Sequence, residues 1–366
     1  MREIISLAPG RTCLFGDHQD YLGLPIIACA INRYIKLHAV ENNESYFNIS
    51  KPDIHKTRKI ELDAVTSNMI VNGDHLMSVL KVIRKYNCIP DKGYDVVVTG
   101  NIPINAGTSS SSAVVISWTK FLLEAFGCSE EVTPEFISKI AYEAEVVEQN
   151  FSGGKMDQYS IGLGNVIYLE TGNDFSYERI DAKLPGLIIG ESGVPKDTSG
   201  LLKELKENSW LSILKIKEVN SSFDIKKAVK SDYNKYKFFL PDLLQHYFYA
   251  AIMNHDITKR AYIEFKEEKI NYQKIGSLMN EHHEVLKDSL KITVPKIDAM
   301  ISGALKAGAL GAKIVGSGRG GSIVVLAPEG KEKEVVEGIM KAGAKDAYQV
   351  SVDSGARIIK EIDFKI

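Results

Sequence analysis

The stretch 101-NIPINAGTSSSSAVVISW-118 decides how the rest of the chain is read. Gly107 and Thr108 are followed by Ser109, Ser110, Ser111 and Ser112, then by an apolar run that ends at Gly127. That run, AVVISWTKFLLEAFG, has the length and spacing of a buried helix with a glycine placed to stop it. YDVVVTGN before the loop reads as a strand. Four small hydroxyl residues pack poorly and favour neither helix nor sheet, so something else must use them. The first backbone N–H groups of a helix lack internal partners and carry about half a positive charge. Gly107 lets the backbone approach an anion closely, while the serines add donors and oxygens able to ligate Mg²⁺. One serine would read as a helix cap; four after a glycine point to phosphate. The pattern G-x-x-x-x-G-K-[ST] does not occur, so this is a phosphate loop of another kind.

Around this loop the chain alternates irregularly between element types. EIISLAP, IIACAINRYIKLHAVE and YFNIS read as strands, and DHLMSVLKVIRKYN as an amphipathic helix. TPEFISKIAYEAEVVEQN predicts a helix over 134–149, with Thr133 as its cap and Pro134 in its first turn. From about 196 the composition shifts to Lys, Glu and Leu at helical spacing. Helices are expected at 273–290, 295–307 and 331–342, strands at AKIVGS and SIVVLAP, and a last strand at GARIIKEID. Mixed elements without steady βα alternation predict two α+β domains, 1–195 and 196–366.

The totals exclude several classes. The chain has 366 residues, enough for two cores, and a formal net charge of -2 gives no bulk attraction to nucleic acid or anionic lipid. No apolar segment approaches the roughly 20 residues that span a bilayer, and MREIISLAPGRT lacks the apolar core of a secretory signal. Cys13, Cys29, Cys88 and Cys128 are scattered without metal-like spacing, which fits reduced thiols in a cytoplasm. Monomer and homodimer both stay open.

GSGRGG (316–321) formally matches the dinucleotide fingerprint G-x-G-x-x-G, but a strand follows it where that fingerprint needs a helix. A glycine turn between strands, closely approaching another part of the molecule, is the better reading. GRTCLFGDHQDY (10–21) gathers Arg11, Asp17, His18 and Asp20, and FSGGKMDQY (151–159) isolates Asp157 behind two glycines. Periodicity in helix 134–149 singles out no metal carboxylate, since Glu143, Glu145 and Glu148 all lie on its polar side or edges. His282 and His283, adjacent on a helix, point apart and make a poor metal pair. Local chemistry alone gives a phosphate-binding enzyme of kinase type.

Together APGRTCLFGDHQDYLG, GNIPINAGTSSSSAVV, GGKMDQ and GAKIVGSGRGGSIVVL resemble the GHMP kinase superfamily, and within it the galactokinase-like branch. LMNEHHEVLKDSLKITVPKIDAM resembles the helix pair before the last motif. The resemblance is weakest between about 165 and 270. It implies an N-terminal domain like a ribosomal-protein-S5 domain, a ferredoxin-like C-terminal domain, and a cleft between them. It implies an ATP-dependent sugar 1-kinase using Mg²⁺. By the same resemblance, Asp157 is the catalytic aspartate and Arg11 lies near the anomeric hydroxyl. Asp17, His18, Asp20 and Gly154 contact the sugar. Gly107, Thr108, Ser109, Ser110, Ser111 and Ser112 wrap the nucleotide phosphates, with Gly316 and Gly318 brought up against them. Ser111 and Glu145 hold Mg²⁺.

Some positions depart from the galactokinase pattern: Cys13 replaces asparagine, Asp17 glutamate, Gln19 threonine, Lys155 an apolar residue and Arg319 an aromatic. Lys155 could lower the pKa of Asp157, pair with a uronic acid, or face solvent. Galacturonate, an amino sugar or arabinose therefore stand beside galactose as acceptors. A sugar- and ATP-binding regulator without catalysis is the alternative of another class. Mevalonate or a related alcohol is a third reading, against which GDHQDY and GGKMDQ speak.

Overall fold

A computed structural model describes residues 1–63, 71–104, 106–195 and 199–360. In chain order the strands are β1 (Glu3–Phe15), β2 (Ile26–Glu41), β3 (Tyr46–Lys51), β4 (Lys56–Glu61), β5 (Tyr94–Gly100), β6 (Val166–Glu170), β7 (Ser176–Ile180) and β8 (Leu187–Glu191). They continue with β9 (Gly311–Val315), β10 (Ser322–Leu326), β11 (Asp346–Gln349) and β12 (Arg357–Ile359). The helices are α1 (His75–Arg84), α2 (Ser110–Phe126), α3 (Pro134–Tyr142), α4 (Met156–Leu163) and α5 (Ser199–Val219). They continue with α6 (Lys230–Tyr236), α7 (Asp242–Phe265), α8 (Tyr272–Glu284), α9 (Pro295–Lys306) and α10 (Glu332–Lys341). Among the described residues no helix is long and apolar enough to cross a membrane.

Among the described residues the strands form an eight-stranded sheet and a four-stranded one. The first runs β12-β1-β2-β5-β3-β4, with β6 on β2 and β7 on β6; the second runs β11-β8-β10-β9. Opposite β1, β2 joins two strands along its other edge because it is long: Ile26–Cys29 pair with β6, and Ile35–Glu41 with β5. Against the first sheet, α1, α2 and α3 close a core around Phe47, Tyr94, Trp118 and Phe121. A second core is shared between lobes. It contains Phe15, Ile26 and Ile27 from the first sheet, Ile314 and Val324 from the second, and Phe248 and Ile252 from α7.

Two expected elements differ. The helix predicted over 134–149 is regular only to Tyr142; Glu143–Val147 then form a π-turn, with Glu148 N–H donating to Glu143 O at 2.8 Å. The helix predicted over 273–290 likewise ends in a π-turn at Val285–Ser289. The two lobes also exchange strands. β8 precedes residue 195 yet sits in the second sheet, and β12, near the chain's end, returns to pair with β1. Among the described residues of the last expected strand, Arg357–Ile359 is a strand, and positions 361–366 lie outside the described residues.

Candidate active site

The loop before α2 is locked to β1. Arg11 N–H donates to Thr108 O at 3.2 Å, and Arg11 NH1 to Gly107 O at 2.5 Å. Its glycine has a steric reason. A Cβ on Gly107, whose φ is +91°, would lie 3.0 Å from Val315 O, and one on Gly316 would lie 3.2 Å from Gly107 Cα. The turn between β9 and β10 therefore meets the loop backbone to backbone, as GSGRGG predicts. At Gly318, whose φ is +93°, an added Cβ would lie 2.6 Å from Ile292 Cβ. Among the departures, exposed Arg319 donates its N–H to Ile292 O at 2.6 Å, and buried Gln19 donates to the Pro25 carbonyl.

α2 begins without a side-chain cap. Ser109 stands before it in left-handed conformation, φ 60° and ψ 46°, and its hydroxyl does not bond the helix. It donates instead to Asp157 Oδ2 at 2.7 Å. The first N–H groups of α2 thus keep their dipole free of a protein anion. Ser111 donates to Glu145 Oε1 at 3.2 Å, and Gln158 Nε2 to Glu145 Oε2 at 2.7 Å. Burial raises the Glu145 carboxyl above its ordinary value, with Asp157 adding to the rise. Such a buried carboxylate beside a hydroxyl fits a divalent cation that takes its other oxygens from phosphates and water. Among the described residues no cluster of three or more His, Cys, Asp or Glu could hold a metal by itself.

Asp157, in the first turn of α4, is the point where these parts meet. Arg11 Nε and NH2 both reach Asp157 Oδ1, at 2.7 and 2.6 Å, while the Arg11 side chain is 4% exposed and that of Asp157 is 32% exposed. Burial works against the Arg11 charge, but Asp157 outweighs it and raises the guanidinium further. One carboxylate is thereby fixed by an arginine and a serine with a face left open. The open face looks into a pocket lined by Asp17, His18, Asp20, Gly154, Leu202 and Ser317 among others. Asp20 crosses to the same loop: Met156 N–H donates to it at 3.4 Å, and a Cβ on Gly154 would lie 2.1 Å from its Oδ2. Burial raises the Asp20 carboxyl to about 6, and Asp157 nearby adds to this. His18 is held at φ +62°, its buried Nε2 has no hydrogen-bond partner among the described residues, and burial lowers its pKa to about 4, leaving a neutral ring.

Other candidates are placed differently. Asp17 lines the same pocket but also pairs with Lys313, whose Nζ lies 2.6 Å from Asp17 Oδ2 and also donates to Cys13 O; both side chains are almost wholly buried. Burial would raise Asp17, but the Lys313 charge prevails and lowers it. Lys155 turns away from Asp157 and donates to Thr171 O and Gly172 O at 3.1 and 3.3 Å. Ser112, though buried, lines the same pocket as Asp157 and bonds Glu145, and Ser110 points no hydroxyl at a described partner. His282 stacks on Phe15 with centroids 6.2 Å apart and His283 is buried beside it, and among the described residues the pair belongs to no cluster of metal ligands. Gln158 and Lys313 escaped the reading of the sequence. A lysine set inside the apolar run of GAKIV was the available signal for the second. GVPKDT (193–198) falls partly outside the described residues.

Three family models match the chain. They are a galactokinase galactose-binding signature over residues 2–39, the GHMP kinases N-terminal domain over 74–165, and the GHMP kinases C-terminal domain over 264–345. A galactokinase of Thermotoga maritima is 28% identical over 365 residues, 96% of this chain and 99% of the relative. A mevalonate kinase of Thermococcus sibiricus is 26% identical over 363 residues, 97% and 98%. The galactose-complexed galactokinase of Lactococcus lactis superposes with a TM-score of 0.85 at 21% identity, covering 97% of this chain and 95% of its own. The mevalonate kinase of Methanococcus jannaschii superposes with a TM-score of 0.70 at 22% identity, covering 96% and 99%.

Proposed function

The chain belongs to the GHMP kinase superfamily, and from that premise we propose that it transfers the γ-phosphoryl group of ATP to the anomeric hydroxyl of a galactose-like monosaccharide. The observation that carries this reading is the Asp157 carboxylate, clamped by Arg11 and Ser109 at the mouth of the phosphate loop and open toward an acceptor pocket.

Phosphoryl transfer asks the protein mainly for in-line positioning and neutralisation of spreading charge. The uncapped start of α2 and the Gly107 backbone face the phosphates. A pocket lined by Lys51, Lys56, Thr57 and Val114 adjoins Ser111 and offers room for the rest of the nucleotide. Ser111 and Glu145 would hold Mg²⁺, which would screen the phosphate oxygens. On the acceptor side Asp157 takes the hydrogen bond, and then the proton, of the attacking hydroxyl. Arg11 keeps that carboxylate oriented and offers its charge to the oxygen as it turns alkoxide-like. His18 Nε2 and Asp20 orient the far hydroxyls.

ADP release is the test, followed over a panel of galactose, galacturonate, an amino sugar, arabinose and mevalonate. Mg²⁺-dependent release with one sugar is expected; release with mevalonate alone would replace the acceptor, and nucleotide and sugar binding without ADP would indicate a regulator. The mevalonate arm is included because curated mevalonate kinases match nearly the whole chain, although the galactose-binding signature and the higher galactokinase TM-score favour a sugar. Asp157→Asn should lower kcat by about 10²–10⁴-fold while nucleotide affinity stays nearly unchanged; an unaltered kcat would remove Asp157 from its role.

A further inference from the structure

A pocket that the transfer chemistry does not use opens beyond the contact of Asp20 with Gly154. Asp20, Tyr21, Gly153 and Gly154 line both it and the acceptor pocket. Three half-buried lysines from separate elements face it: Lys155 just before α4, Lys206 on α5, and Lys226 in the short 3₁₀ turn Ile225–Lys227. Exposed Lys217, also on α5, lines its rim. Two of them converge on one residue. Lys155 Nζ lies 3.3 Å from Gly172 O, and a Cβ on Gly172 would lie 2.7 Å from Lys226 Nζ. Among the described residues none of the three lysines is in an ion pair. The carboxylates of this pocket are otherwise engaged or solvated. Asp224 accepts Lys226 N–H at 3.0 Å, Asp20 accepts Tyr21 N–H at 3.0 Å, and Asp174 is exposed. All three lysines are only half-exposed, and burial alone lowers the Lys155 pKa, with no acid to restore it.

Ammonium groups drawn together in a concavity repel one another and lose hydration, which is unfavourable until an anion sits between them. Charge-assisted hydrogen bonds to phosphate or carboxylate oxygens return that free energy, and lysine serves such groups as a point charge. Trp210 adds an apolar wall suited to a ring or chain bearing the anion. We propose that this pocket is a binding site for a phosphate or carboxylate group beside the acceptor. The common wall lets one molecule occupy both pockets, so an acceptor carrying such a group is the substrate class that fits. That last step rests on the sugar-kinase reading, whereas the anion site does not. A free anion acting as an effector has the same chemistry.

The experiment titrates inorganic phosphate calorimetrically into the full chain preloaded with ADP and Mg²⁺. Saturable binding is expected, weakened about tenfold or more in Lys206→Gln/Lys226→Gln, retained in Lys206→Arg/Lys226→Arg and unaffected by Asp157→Asn. No uptake, or equal uptake by the glutamine double variant, would overturn the site. ADP release is then compared for neutral sugars and their uronic-acid and phosphate derivatives. A KM for an acidic sugar that rises about tenfold in the glutamine double variant, with neutral sugars unchanged, places the anion on the acceptor. Loss of phosphate binding in that variant without turnover of any acidic sugar assigns the site to a separate anion. No ADP release from any acceptor, with the phosphate effect intact, removes the kinase reading and leaves the site standing.

Discussion

Asp20 and Asp17 lie three positions apart and have opposite electrostatic fates. Burial and the Asp157 charge raise the Asp20 carboxyl to about 6, so near neutral pH it is ionised but close to its titration. The folded chain then holds that proton more tightly than the unfolded one between the ordinary carboxylate value and about 6. Raising pH through this window costs stability, while the acceptor gains a charged hydrogen-bond partner. The acceptor KM should therefore rise as pH falls below about 6, and Asp20→Asn should flatten that profile at a higher KM; an unchanged profile in the variant would assign the titration to another group. Asp17 is instead lowered by Lys313, in a pair buried from water across the two lobes. Lys313→Met leaves that carboxylate buried alone, which should cost about 3–5 kcal/mol in urea unfolding, with much of the loss recovered by adding Asp17→Asn. Asp17, Asp20 and Asp157 were each visible in their motifs. The partner of Asp17 was not, because nothing local in the chain says that a strand lysine so far along will fold onto it.

Two elements carry their function through irregular backbone. The π-turn Glu143–Val147 explains why helical periodicity could not choose among three glutamates. One extra residue in the turn rotates the helix face, so Glu145 points inward to Ser111 while Glu143 and Glu148 face Lys85 outside. The loop before α2, by contrast, was legible, since its glycine, its serines and the apolar run each demand the conformation found. What the sequence did not announce is that Ser109 would leave its helix uncapped to hold Asp157. A serine in left-handed conformation costs about 1–2 kcal/mol relative to the right-handed region, a cost glycine avoids. Ser109→Gly should consequently melt at or above the wild-type temperature while kcat/KM falls about tenfold, the loss of one hydrogen bond to a charged group. Lower stability with full activity would make the serine a structural residue only.

At the scale of the whole molecule the composition shift near 196 marks where α5 begins, but it hides how the lobes are joined. Strand pairing between distant segments leaves no local signature, so the exchange of β8 and β12 had to be seen. Just before β12, Asp353 N–H donates to Ala30 O at 3.0 Å, Asn165 N–H donates to Asp353 O at 2.6 Å, and Val352 bridges Ile31. The second lobe cannot unfold without stripping this strap from β1 and β2, nor without opening the core that Phe15 and Ile27 share with Ile314 and Val324. A cleft held this way keeps the Gly107–Gly316 contact, and with it the phosphate loop, in register. The chain should thus unfold as one cooperative unit despite its two sheets. Its two tryptophans report the two regions separately. Trp118 is buried against Phe47 in the first core, and Trp210 on α5 donates to Tyr21 O at 3.1 Å. In Trp118→Phe and in Trp210→Phe the remaining fluorescence should lose its native signal at the same denaturant concentration as far-ultraviolet circular dichroism. If the Trp210 signal in Trp118→Phe were lost well before the ellipticity, the α5 side would open independently, and the strand exchange would not be what couples the lobes.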